Sequence, residues 1–248
     1  EDHERNLWVG SDKGLTRLTP KRFKTITKKD GLASNVALAV YASRDGSTWL
    51  SSWGSGLSHY LDGRVEILNT KNGLPSNFVM ALAETRDGSL WTGADYNGQL
   101  IRIKDGQVSV FEHKGHHGTP ALYEDERGVL WIGNRGNLET WDGKKLRRYT
   151  TRNGLSDDEV NAICGGDNGS VWIGTVNGLT RWQNGSFENL AAGNALLRVM
   201  ILSLYHDTSG TLWIGTKGKG LLRWRDGEVE GFSQACGLYR DSIYALLE

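Results

Sequence analysis

Two cysteines and three prolines in 248 residues leave little scope for covalent stapling or proline-stiffened loops. Cys164 and Cys236 stand far apart at unlike places in the chain and read as two free thiols, not as a disulfide framework. Charge of one sign is also missing. Lys plus Arg is 29 and Asp plus Glu is 29, so no overall field draws the chain to nucleic acid or to an anionic membrane. No apolar run approaches the ~18–20 residues of a membrane-spanning helix, so this part of the chain is expected to make no membrane contact itself. The first residue is Glu1, no leader is visible, and the chain is expected to be a piece of a longer protein. Phosphate loops, nucleophile elbows and HExxH helices are absent, so neither an enzyme nor a cofactor is implied.

What the chain has in excess is glycine, 33 residues, and tryptophan, 10. Trp8, Trp49, Trp91, Trp131, Trp172 and Trp213 recur at intervals of 41, 42, 40, 41 and 41 residues, in LWVGS, TWLSS, LWTGA, LWIGN, VWIGT and LWIGT. Turn signals recur with them. Before the Trp stand Asp45-Gly46, Asp87-Gly88, Arg127-Gly128, Asn168-Gly169 and Ser209-Gly210, several of them the Asx-Gly pairs that suit two-residue hairpins. After it comes a turn ending in Gly14, Gly56, Gly98, Gly136, Gly178 or Gly220. Asp62-Gly63, Asp105-Gly106, Asp142-Gly143, Asn184-Gly185 and Asp226-Gly227 mark a third turn, and Gly-Leu at 31, 73, 154 and 237 a fourth.

Four turns separating four short β-rich runs fill a period of about 41 residues, which is one blade of a β-propeller. Helices would not survive glycine at this frequency. The expected fold is all-β, residues 1–248 forming a single domain of six four-stranded blades. The final SIYALLE reads as a first strand that completes the N-terminal blade and closes the ring. The repeated Trp belongs on the second strand of each blade, packed against the neighbouring sheet. Trp141, Trp182 and Trp224 hold a second equivalent position, filled elsewhere by Leu18, Tyr60 and Ile103.

The unit seen in DTSGTLWIGTKGKGLLRW and DNGSVWIGTVNGLTRW, followed by GLASN, GLPSN or GLSDD, resembles the two-component regulator propeller repeat across essentially the whole chain. That resemblance implies a periplasmic or extracellular sensor region of a bacterial signalling protein, reading an oligosaccharide-like ligand, with a homodimer formed through the parent protein. Propellers of that family are commonly seven-bladed, so six units is a departure. Ser43-Arg44-Asp45-Gly46-Ser47-Thr48-Trp49 also looks like the Asp-box of sialidase-type propellers, which is a turn-forming device. A glycan-active enzyme, lyase or sialidase-like, is therefore one rival reading, and a protein-binding scaffold is another.

Residues shared by every blade mostly build blades, so departures from the repeat mark candidate ligand positions. Trp53 lies outside both tryptophan registers, in a second-to-third-strand loop, and Asp95 and Tyr96 fall in the matching loop of the next unit. Tyr239 and Arg240 lie between a fourth strand and the next first strand. An aromatic beside hydrogen-bonding groups suits a sugar ring. His116 and His117, with His113, interrupt the Gly-Leu loop and are counted toward a ligand site; no metal is assigned to them. Arg198 and Lys217, with Lys219, give a basic counterpart to Asp157, Asp158 and Glu159, and Arg135 is a further candidate ligand residue, grouped with Arg198 and Arg240. Asn35 and Asn77 are expected to fix their loops through side-chain to backbone bonds.

Overall fold

The computed structural model describes residues 7–11, 14–18, 23–94, 99–111 and 118–246, with side chains from Thr25 onward. The first sheet is three-stranded, β1 (Leu7–Ser11), β2 (Gly14–Leu18) and β3 (Phe23–Ile26). The second comprises β4 (Ala37–Ala42), β5 (Thr48–Ser52), β6 (Gly56–Leu61) and β7 (Arg64–Leu68). The third holds β8 (Val79–Glu84), β9 (Leu90–Ala94), β10 (Leu100–Lys104) and β11 (Gln107–Phe111). The fourth follows with β12 (Ala121–Glu124), β13 (Leu130–Gly133), β14 (Leu138–Trp141) and β15 (Leu146–Tyr149). The fifth is β16 (Val160–Gly165), β17 (Val171–Thr175), β18 (Gly178–Gln183) and β19 (Ser186–Asn189). The sixth is β20 (Ile201–His206), β21 (Leu212–Thr216), β22 (Leu221–Arg225) and β23 (Glu228–Phe232). Within every sheet, consecutive strands pair antiparallel. The chain divides into two compact units, Glu1–Thr119 and Pro120–Glu248.

The turns follow from the residues that occupy them. Asp62, Asp105, Asn184 and Asp226 have φ near +50°, and each is followed by a glycine that also has positive φ. These are type I′ hairpins joining third to fourth strand. Before the Trp, Asn168-Gly169 has both residues at positive φ as expected, but the two Asp-Gly turns do not. At Asp45-Gly46 and Asp87-Gly88 only the glycine is left-handed, while the Asp side chain accepts the amide of Ser47 or Ser89. The Gly-Leu loops contain single 3-10 turns, Lys28–Asp30, Thr151–Asn153 and Gln234–Cys236. Thr27 and Thr150 cap two of them in capping boxes, and Gly31, Gly154 and Gly237 end all three in left-handed conformation. The leucines that follow at 32, 74 and 155 are buried and anchor these loops.

Sheet-to-sheet packing is clearest in the second unit. Trp131 on β13 packs with Leu155, Val160, Val171 and Ile173 at the face of the fifth sheet. Trp172 on β17 packs with Ile201, Leu212 and Leu222 of the sixth. Both indoles are about 2% exposed, and burying each removes a large apolar surface from water. The plug residues complete the fit. Trp182 meets Trp131 edge-on at 5.3 Å, and Trp224 meets Trp172 edge-on at 4.7 Å. The glycine two residues beyond each Trp allows close approach. A Cβ on Gly133 would lie 2.7 Å from Val160, and one on Gly174 would lie 2.4 Å from Ile201, so the next sheet's first strand leaves no room for a side chain.

The indole N–H also needs an acceptor when buried. Six residues before the Trp, Asp125 accepts Trp131 Nε1 at 3.0 Å, Asp207 accepts Trp213 Nε1 at 2.9 Å and Thr85 accepts Trp91 Nε1 at 3.1 Å. The fifth sheet has Gly166 there, and Trp172 Nε1 has no partner among the described residues. Asp125 carries more than one load. Its burial opposes the charge, but bonds from Trp131, Arg127 and the Val129 amide hold its carboxyl below the usual range. Hydrogen bonds from Ser209, Thr211 and Trp213 do the same for Asp207. Cys164 and Cys236 are both free, and burial pushes the Cys164 thiol up to about 12.

Where six four-stranded blades are expected, the described residues form six sheets, five of four strands and one, the first, of three. The segment read as a closing strand forms one antiparallel bridge, Ser242 to Lys217. Ile243 N donates to Thr216 O, and Ile243 O accepts from Ser203 Oγ. A Cβ on Gly215 would strike Ser203 Oγ at 2.1 Å and Ile243 O at 2.6 Å, much as one on Gly174 would strike Ile201. This segment therefore docks on the sixth sheet as the first strand of a following sheet would. Among the described residues no ladder extends beyond the Ser242 bridge.

Candidate functional site

In each meander the loop joining second to third strand and the loop leading into the first strand lie at the same end of the strands. Much of their composition serves that end's backbone. Asn35 Oδ1 accepts the Lys28 amide at 2.7 Å, and Asn77 Oδ1 accepts the Thr70 amide at 2.9 Å, as the sequence implies. Asp158 and Asp241 stand in the same place and accept from Thr151 and Gln234. The Asn77 carbonyl in turn accepts from Gly56, and the Asp241 carbonyl from Gly220. Asp158 is therefore a loop brace as well as a charge.

Of the first unit's candidates, Trp53 is the one described. It projects from the β5–β6 loop, 44% exposed, and stands edge-on to Phe78 at 5.4 Å. Phe78 leads into β8 and escaped the sequence reading, because an aromatic directly before a strand is indistinguishable from core by composition. The matching-loop residues Asp95 and Tyr96 lie outside the described residues, as do His113, His116 and His117.

In the second unit, Arg135 pairs with Glu159 in an antiparallel bridge, which sets a candidate cation beside the acidic loop. Lys217 is the bridge partner of Ser242. Arg198 turns inward along its own loop. Its Nε and Nη2 donate to the carbonyls of Ala191 and Ala192 at 2.9 and 3.1 Å, closing the turn Leu190–Ala192. Tyr239 is 88% exposed, with the Arg240 guanidinium 5.9 Å from its ring centre. Arg135, Lys217, Tyr239 and Arg240 thus occupy loops at one end of the strands, whereas Arg198 acts mainly as a brace.

A buried carboxylate was also missed. Glu139 on β14 is fully enclosed, and Arg148 reaches its Oε1 through Nε at 3.0 Å and Nη2 at 2.7 Å. Asn134 Nδ2 donates to Glu139 Oε2 at 3.3 Å and to Asn137 Oδ1 at 3.0 Å. The equivalent residues Ser58 and Thr180 receive the amides of Ala33 and Ser156 from their lead-in loops. The sequence signal is a Glu where other sheets carry Ser, Thr, Ile or Leu. Such a charge is tolerated only because it is paired and hydrogen-bonded. Among the described residues no group of three or more His, Cys, Asp or Glu is arranged to hold a metal.

Four-stranded antiparallel meanders, stacked with an indole at the meeting of successive sheets, define the chain as a propeller-type protein. Residues 73–96, 154–177 and 196–218 match the two component regulator propeller family. No curated protein is significantly similar in sequence. Among solved structures, the extracellular domain of a hybrid two component system from B. thetaiotaomicron is similar with a TM-score of 0.76 and 20% identity, over 87% of this chain and 31% of that one. PorZ, a surface component of the type-IX secretion system of Porphyromonas gingivalis, gives 0.76 and 14%, over 97% of this chain and 41% of that one. Virginiamycin B lyase from Staphylococcus aureus gives 0.72 and 15%, over 93% and 81%. At these identities the likeness concerns the fold. The chain spans less than half the length of the first two. No helix among the described residues is long and apolar enough to cross a membrane.

Proposed function

We propose that this chain is a non-enzymatic, extracytoplasmic sensor propeller that reads an oligosaccharide-like ligand on the strand end bearing its variable loops. The observation that carries the reading is Trp53, an indole left half in solvent yet held edge-on by Phe78. A pre-positioned aromatic face matches the CH face of a sugar, and polar neighbours match its hydroxyl rim. Within the first unit this reading counts Asp95, Tyr96, His116 and His117 from sequence as the polar groups beside Trp53, and within the second unit it counts Arg135, Lys217, Tyr239 and Arg240 as candidate ligand contacts. The family match and the likeness to a hybrid two component system's extracellular domain support a signalling role in the periplasm or outside the cell. In the same reading residues 1–248 form one domain. Binding acts by favouring one arrangement of the parent protein's neighbouring parts, including a homodimer.

The likeness to virginiamycin B lyase supports one rival, an enzyme of lyase type. A glycan array followed by calorimetry with the best-bound oligosaccharide separates the two. Saturable binding with unchanged ligand, lost in Trp53→Ala, supports the sensor. Bond cleavage on prolonged incubation, or binding unaffected by Trp53→Ala, would overturn it.

A further inference from the structure

Between the second and third sheets lies a cavity of about 800 Å³, lined from the turns at Asp45 and Asp105 to Leu68 and Asn72 and not by Trp53. The stacked rings of Trp49 and His59, 4.1 Å between centroids and 20° apart in plane, line it together with Leu90 and Ile103. The carboxylates of Asp45, Glu66, Glu84 and Asp105 also line it, with no Lys or Arg among them. His59 Nε2 is closed off from solvent and has no hydrogen-bond partner among the described residues.

The same place between the fourth and fifth sheets is filled, and what fills it identifies the missing chemistry. There Trp182 abuts Trp131, and the Arg127 guanidinium lies 4.3 Å from the centre of the Trp182 ring. Trp182 stands opposite Val171 in its sheet, as Ile103 stands opposite Leu90, so the two positions correspond. Arg127 precedes Trp131 by four residues, as Asp45 precedes Trp49. The second-to-third interface therefore lacks both ring and guanidinium, and has a carboxylate where the cation would originate. The residue paired across from the Trp is Arg17 for Trp8, Arg102 for Trp91, Arg181 for Trp172 and Arg223 for Trp213, but Thr140 for Trp131 and His59 for Trp49, so the second sheet alone places an imidazole there.

We propose that this cavity binds an alkyl guanidinium, as presented by an arginine side chain of a peptide. Its methylene stem would lie against Leu90 and Ile103, with the planar head beside the Trp49–His59 pair and the carboxylates. Guanidinium suits the site better than ammonium because it is flat, weakly hydrated and able to engage carboxylates in pairs. The cavity is larger than one side chain and falls in the usual ligand range of about 300–1,000 Å³, leaving space for flanking peptide. This site is separate from the sugar-reading loops and stands or falls without them.

Titration calorimetry of the whole chain with N-acetyl-arginine amide and its neutral citrulline counterpart tests the assignment. One saturable site is expected, with citrulline weaker by about tenfold or more. Ile103→Trp, which supplies the missing plug, is expected to abolish binding without lowering the melting temperature. Glu66→Gln is expected to weaken binding several-fold and reduce its salt dependence, whereas Trp53→Ala should leave it unchanged. Equal binding of the citrulline probe, no saturable binding, or undiminished binding by folded Ile103→Trp would overturn the proposal. Should Ile103→Trp fail to fold, unchanged affinity in Glu66→Gln would overturn it alone.

Discussion

The interface between the fourth and fifth sheets and the interface between the second and third are built to one plan and finished differently. In the former, Trp131 is 2% exposed, covered by Trp182 and by Arg127 above it. In the latter, Trp49 is half-buried, its partner position holds Ile103, and the space left over is a cavity. The repeat thus fixes where the large indole goes, while a single plug position decides whether an interface becomes solid core or a receptive cleft. A repeat protein can acquire a binding site by omitting one side chain.

The largest effect that could break this comparison is the loss of an indole. Trp131→Ala is expected to cost about 3–5 kcal/mol, because a fully enclosed ring leaves an empty volume behind. Trp49→Ala is expected to cost only about 2 kcal/mol, since its surroundings are already hollow. Urea unfolding of the two variants measures both, and equal losses would show that the interfaces are packed alike.

Next in size is the acceptor of the indole N–H. Asp125→Ala strips partners from Trp131 Nε1 and from the amides of Arg127 and Val129, with an expected loss of about 1–3 kcal/mol. The fifth sheet, with Gly166 and an unpartnered Trp172 indole, already lives without that bond. Asp125→Asn, which keeps an acceptor in place, should recover part of the loss in the same unfolding experiment.

Acid sensitivity sharpens the point further. The carboxyls of Asp125 and Asp207 are held below the ordinary range in the folded chain, and the Lys145 amide and Arg147 hold Asp142 down to about 2. A depressed folded pKa means that the folded state binds the proton less readily than the unfolded chain does. The associated stability is therefore complete above the unfolded value near ~4 and lost as pH falls from there toward about 2. Thermal melts between pH 6 and pH 2 should show a fall confined to the acid end, and Asp125→Asn should make it shallower. The smallest effect is expected at Trp53. Its replacement by Ala should change stability by less than ~1 kcal/mol, and a larger loss would return Trp53 to a packing role.

The period and the turn residues made the sheets legible from sequence, because Asx-Gly and Gly-Leu act locally through backbone preference. Asn35 and Asn77 were readable for the same reason. What was not legible depends on a neighbouring sheet. Ile103 and Trp182 both satisfy an apolar position, and only packing shows that one leaves a cavity. Glu139 reads as a solvent-facing charge until its strand is placed with that face inward. Arg198 reads as a free cation until its loop curls back to present two carbonyls. The SIYALLE segment has strand-like residues, yet its backbone bonds reach only the sixth sheet in the described residues.

The plug-position claim is tested most directly by exchanging the two residues and measuring unfolding free energy in urea. Ile103→Trp is expected to raise stability by about 1 kcal/mol, and Trp182→Ile to lower it by about 2–3 kcal/mol. Two changes of the same sign and similar size would contradict the account.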